Sequence, residues 1–117
     1  MKLKITEPGM KWLWLFLVLF LFSCHSSNEK SQGNEHHTDT VTIHMMQFNP
    51  SEITVNKGDT VIWINKDLVP HTVKSLVANE FYSDTIKVGQ TWKQNITDSV
   101  SYFCTIHPTM IGKIMVK

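Results

Sequence analysis

The stretch Thr60-Val61-Ile62-Trp63-Ile64-Asn65 most constrains what this chain can become. In an extended segment alternate side chains fall on opposite faces, so Val61 and Trp63 share one face while Ile62 and Ile64 share the other. A short β-branched run that is apolar on both faces needs cover on both, which predicts a central strand with Trp63 as a core anchor.

From Thr40 onward the chain repeats this short-run pattern, with no sustained apolar period of 3.6. Val41, Ile43 and Met45 alternate with Thr42, His44 and Met46, and Phe48 leads into the turn signal Asn49-Pro50. Ile53 to Val55 begins a second strand, and Asn56-Lys57-Gly58-Asp59 turns the chain into Thr60. Further strands are predicted at His71 to Ser75, Ile86 to Val88, Trp92 to Ile96, Val100 to Phe103 and Lys113 to Lys117. Short strands punctuated so often argue for an all-β fold, a small antiparallel β-sandwich occupying residues 40–117.

The amino terminus is predicted to stand apart from that domain. Lys2, Lys4 and Lys11 precede an apolar run from Trp12 to Phe22, only 11 residues long. Spanning a bilayer takes about 20 residues, so the run fits the apolar region of a secretory signal better than a membrane helix. Leu21-Phe22-Ser23-Cys24 resembles the lipobox of bacterial lipoproteins, with Phe22 bulkier than is usual. That resemblance implies cleavage after Ser23, lipid on Cys24 and a membrane-anchored protein exported from the cytoplasm. Residues 24–39 then form the lipidated cysteine and a polar linker, since 25–39 contain no large apolar side chain. With Cys24 so used, Cys104 has no disulfide partner, and an unpaired thiol outside the cytoplasm calls for protection such as metal ligation.

Charge and motif content exclude several classes. Eight lysines and nine acidic residues follow residue 23, with no arginine and no basic stripe, so no nucleic-acid partner is expected. No nucleophile is paired with a base and no carboxylate dyad is present, which argues against an enzyme and against a small-molecule substrate. The haem signature C-x2-C-H is absent.

What remains is Cys104-Thr105-Ile106-His107-Pro108-Thr109-Met110, where a thiolate, an imidazole and a thioether recur every third residue and Pro108 opposes helix. Thiolate and thioether favour Cu(I), imidazole accepts either copper oxidation state, and a His2Cys site with a distant Met is the blue-copper arrangement. A buried Cys, a surface His and a core Met falling together by chance is the competing account. The arrangement needs a second His. His71 opens a predicted strand 33 residues before Cys104, and strand ends of a sandwich collect at its poles, where the two can meet.

Gly58-Asp59-Thr60-Val61-Ile62-Trp63-Ile64-Asn65 with Pro70-His71, followed by Tyr102-Phe103-Cys104 through Met110-Ile111-Gly112, resembles the two signatures of the cupredoxins, nearest the amicyanin, pseudoazurin and plastocyanin group. The resemblance implies a Greek-key sandwich and one type 1 copper ion cycling between Cu(I) and Cu(II). His71 and His107 would bind through Nδ1, Cys104 through Sγ, and Met110 as the weak axial ligand. It implies single-electron shuttling between redox partner proteins that dock near His107, on a rim of Met46, Val69, Pro70, Ile106, Pro108 and Thr109. A copper carrier or store is the alternative, drawing on the extra donors His36, His37, His44, Met45 and Met46. Two positions depart from the family pattern. Ile106 stands where a Pro is common, and its N–H is expected to face Cys104 Sγ. Thr72 stands where Asn is common, and with Thr105 it is expected to tie the ligand loops together through a hydroxyl.

Overall fold

A computed structural model describes residues 2, 33, 35–78 and 80–117. The chain divides into a unit of residues 1–33 and a unit of residues 34–117, and the fold described is that of the second. The predicted secretory run and Cys24 lie outside the described residues, among which no helix is long and apolar enough to cross a membrane.

Eight strands build the domain: β1 (Thr38–His44), β2 (Gln47–Asn49), β3 (Glu52–Val55), β4 (Thr60–Asn65), β5 (Lys74–Ser75), β6 (Thr91–Asn95), β7 (Val100–Phe103) and β8 (Ile111–Val116). They form two four-stranded sheets, ordered β2-β1-β4-β6 and β3-β8-β7-β5. The antiparallel arrangement expected from the turn spacing holds for four of the six strand pairs, whereas β1 with β4 and β3 with β8 run parallel. Those two pairs join strands separated by a crossover between sheets, where no hairpin turn imposes opposite directions.

Strand β4 is interior to its sheet, as its sequence requires, with β1 on one side and β6 on the other. Val61, Trp63 and Asn65 are buried in the core, but Ile62 and Ile64 are only half-buried. A two-layer sandwich covers one face of each sheet, so the cover expected over Ile62 and Ile64 is partial. Trp63 meets Tyr102 of the opposite sheet edge-on, with ring centroids 5.4 Å apart, and Phe48 meets the same tyrosine at 4.9 Å. These aromatics, with Val41, Ile43, Val55, Val61, Val100 and Ile114, fill the space between the layers.

Several predicted elements differ in extent, β8 among them, which starts at Ile111 rather than Lys113, and for three others the hydrogen bonds or bridges show how. Strand β1 starts at Thr38, two residues inside the expected linker, because the Asp59 carboxylate accepts the His37 N–H and the His37 carbonyl accepts the Thr60 N–H. Of His71 to Ser75 only Lys74–Ser75 joins a ladder, since the Thr72 N–H goes to Cys104 Sγ and the Val73 N–H to Ser83 Oγ. Ile86 to Val88 is no strand but a single bridge between Ile86 and His71, followed by Gly89 at φ 78°.

Candidate metal centre

One pole of the sandwich gathers the carboxyl-terminal ends of β1, β4 and β7. Phe103 pairs with Ile111 across β7 and β8, so Cys104 to Met110 is the loop of a hairpin. Two backbone bonds set its shape: the Cys104 N–H donates to the Met110 carbonyl (3.1 Å), and the Met110 N–H to the His107 carbonyl (2.9 Å). The hairpin thus brings the first and last donors of the motif to its neck, while His107 sits at the bend between them.

His71 comes from the other side. Asn65, at the end of β4, donates from Nδ2 to the carbonyls of Val69 (2.8 Å) and Ile86 (2.9 Å), and its Oδ1 accepts the Asp67 N–H (2.9 Å). Every polar atom of this buried amide is engaged, as burial demands. The loop it braces ends at Pro70, and the His71 backbone is then fixed by reciprocal bonds with Ile86.

The two loops converge. Cys104 Sγ lies 3.8 Å from His71 Nδ1 and 3.9 Å from His107 Nδ1, and one donor atom from each of the three falls within 4.8 Å of the others. His71 and Cys104 are fully buried, His107 is half-buried, and Met110 is 3% exposed. Cys104 is a free thiol. A buried unpaired sulfur with two ring nitrogens turned toward it fits a soft or borderline metal ion, and the adjoining thioether-bearing Met110 narrows the fit to copper. The four residues singled out in the sequence therefore collect at one pole, whereas His36, His37 and His44 are not part of the cluster.

Around the sulfur the structure differs from expectation in one respect and agrees in another. The backbone N–H that reaches Cys104 Sγ is that of Thr72 (3.4 Å), while that of Ile106, expected there, is not among its partners. The Thr72 hydroxyl also reaches the sulfur (3.7 Å) and meets Thr105 Oγ1 at 2.8 Å, so the two threonines do tie the ligand loops together. Thr72 Oγ1 further accepts the Thr105 N–H (2.7 Å).

Asp67 is a functional residue the sequence reading passed over. Its Oδ2 lies 3.0 Å from His71 Nε2, which fixes the ring so that Nδ1 faces the sulfur. The same oxygen accepts the Met46 N–H (2.9 Å), and Oδ1 accepts the Leu68 N–H (3.0 Å). Hydrogen bonds from Met46 first, then Leu68, hold its carboxyl below the usual carboxylate range against the opposing effect of burial, with His71 adding to them. An acid four residues before a ligand His was the available signal.

The apolar rim expected around His107 is exposed throughout, Met46, Val69 and Ile106 included, and Leu68, missing from that expectation, is 90% exposed.

A model of the family described as "Copper binding proteins, plastocyanin/azurin family" matches residues 35–117. The chain is 34% identical over 83 residues to amicyanin of Paracoccus versutus and 35% identical over 83 residues to that of Paracoccus denitrificans. Each alignment covers 66% of this chain and 63% of the relative, so the chain spans less than two thirds of the length of these two relatives. Among solved structures, a Cu(I) form of a point variant of amicyanin superposes with a TM-score of 0.64 at 30% identity, covering 68% of this chain and 82% of that one. A purple cupredoxin from Nitrosopumilus maritimus superposes equally well, at 0.64, with 22% identity, over 68% of this chain and 99% of that one, a likeness of fold. The family match takes in every donor on both ligand loops, and this chain therefore belongs to the plastocyanin/azurin family of copper binding proteins.

Proposed function

We propose that the protein carries single electrons between partner proteins outside the cytoplasm, through one type 1 copper ion held by His71 Nδ1, His107 Nδ1, Cys104 Sγ and, more weakly, Met110. The observation that carries this reading is the convergence of His71 and the Cys104–His107 pair from loops 33 residues apart, within 3.8 to 3.9 Å of one sulfur. Bound copper would supply the one-electron couple. The protein holds the donors still: Asp67 braces one imidazole, the hairpin neck fixes the thiolate and thioether, and Thr72 supports the sulfur. Donors that keep one arrangement in both oxidation states lower the cost of exchange. His107, half-buried beside exposed Ile106 and Pro108, is the electron port, and its apolar surroundings suit the small, brief contacts of redox partners. We assign no catalytic role to the domain. Export and lipid attachment at Cys24 complete the proposal, supported by the charged start, the 11-residue apolar run and Leu21 to Cys24.

The exposed methionines Met45 and Met46 support a second reading, a copper carrier. An absorption spectrum of the copper-loaded protein beside a Cys104→Ser control separates the two. A thiolate-to-Cu(II) band at ~600 nm that vanishes on reduction, returns on oxidation and is missing in the control supports the shuttle. Ready loss of metal to a chelator with no such band supports the carrier and refutes the shuttle.

A further inference from the structure

The β1–β2 hairpin turns on two adjacent methionines. His44 pairs with Gln47, which leaves Met45 and Met46 as the central residues, at φ 51° and 59°. Such turns are ordinarily built from Asn-Gly or similar pairs, because a side chain crowds the backbone in the left-handed region. The backbone therefore disfavours methionine twice over. Burial does not compensate, since the two are 74% and 40% exposed. Neither turn geometry nor core packing accounts for two thioethers at this place, and strained positions of this kind gather at functional sites.

Position supplies the missing reason. Met46 and Met110 line the same open cavity of about 320 Å³, with Phe48, Asn49, Thr109 and Ile111 among its other walls. The turn is held against the metal centre, because the oxygen of Asp67 that accepts the Met46 N–H is the one beside His71 Nε2. His71 and Cys104 are fully buried, whereas His107 is half-buried and Met110 lines the open cavity, which makes these two the sides from which an ion can approach. The Met110 approach pairs two sulfurs, Met46 on the cavity wall and Met110 within the donor set.

We propose that the Met45–Met46 turn is an entry site for Cu(I), at which the Met46 thioether takes the ion at the cavity mouth and passes it to Met110 and Cys104. This rests on the four-ligand reading of the centre. Thioether sulfur is a soft, neutral donor that selects Cu(I) over Cu(II) and zinc. Transfer is ligand exchange with no change of oxidation state, and the Cys104 thiol releases its proton to solvent as the thiolate takes the metal. Met45, more exposed, widens the capture surface.

The test mixes the full-length apoprotein with Cu(I) as its bicinchoninate complex and follows decay of the chelate colour by stopped flow. The product is then oxidised and its thiolate-to-Cu(II) band recorded. Met46→Leu preserves shape and apolarity, so it should reach the wild-type final spectrum with uptake slowed several-fold, and Met45→Leu should slow it less. Zinc uptake should be the same in all three proteins. A second measurement uses Ag(I), a redox-silent stand-in for Cu(I), on protein whose centre is already filled: the Met46 methyl resonance should shift. Wild-type uptake by Met46→Leu, or a Met46 methyl that Ag(I) leaves unmoved, overturns the entry site alone. A wild-type protein that takes up no copper overturns the four-ligand reading and the entry site together.

Discussion

Thr72 donates to Cys104 Sγ twice, from its N–H at 3.4 Å and from its hydroxyl at 3.7 Å. Thr105 makes the second contact possible. Its N–H and its hydroxyl can both be accepted by Thr72 Oγ1, which leaves the Thr72 proton free for the sulfur. Donors to a thiolate withdraw charge from it and favour the reduced metal. Thr72→Val keeps the shape and the N–H but loses the hydroxyl, and should lower the reduction potential. One hydrogen bond of about 0.5–1.5 kcal/mol corresponds to roughly 20–60 mV for one electron, which voltammetry of the copper-loaded variant resolves.

Asp67→Asn should move the potential the other way. The carboxylate stands 3.0 Å from His71 Nε2, and its negative charge favours the oxidised centre. Neutralising it should raise the midpoint by on the order of tens of millivolts, discounted for the solvent that reaches the group. A midpoint that falls or stays fixed in the same titration would count against a role for Asp67 in tuning His71.

Gly112→Ala should damage the fold and leave the donor set intact. A Cβ at Gly112 would overlap Cζ and Oη of Tyr102, a ring that is fully buried and wedged between Trp63 and Phe48. Overpacking of this kind costs about 1–3 kcal/mol or more, which thermal unfolding would show as a Tm lowered by roughly 4–8 °C for each kcal/mol in a domain of this size.

Acid sensitivity should trace in part to Asp59. Its carboxyl is held below the usual carboxylate range, first by the Asn56 N–H, with His37 and the Asn56 side chain adding to that and burial opposing it. The folded state thus favours the ionised form. Its contribution to stability is present above the ordinary carboxylate pKa, near 3.8, and is lost as pH falls through the lower folded value. Urea unfolding between neutral pH and pH ~2.5 should show a flatter acid limb in Asp59→Asn than in the wild type.

Alkaline behaviour should single out Tyr102. Burial pushes its phenol up to about 12 from 10, with Trp63 pulling slightly the other way. Its folded pKa is raised, so the neutral phenol stabilises the fold fully below pH 10, and that contribution is lost as pH rises toward 12. Ultraviolet titration should show the ionisation of Tyr102 delayed above the ordinary phenol value and coinciding with alkaline unfolding.

Much of this was legible in residue order because it depends on local rules. Alternation in Thr60 to Asn65 marked β4 as interior, and turn residues separated the other strands. Three donors at every third residue marked Cys104 to Met110 as the candidate metal loop, and His71 with the two family signatures decided for it over chance. By itself the sequence determined the two-layer β character, the chemistry of the site and the choice of a soft metal.

Only the tertiary structure decided the rest, because each remaining feature depends on where a hydrogen-bonding group or ring points once remote strands meet. The Thr72 N–H left a predicted ladder for Cys104 Sγ, which both shortened a strand and supplied the sulfur with its donor. Asp67 has its part only because its Oδ2 stands 3.0 Å from His71 Nε2, and Met46 only because its N–H donates to that same oxygen. Side-chain type is written residue by residue, but the direction of a donor is fixed by contacts made tens of residues away.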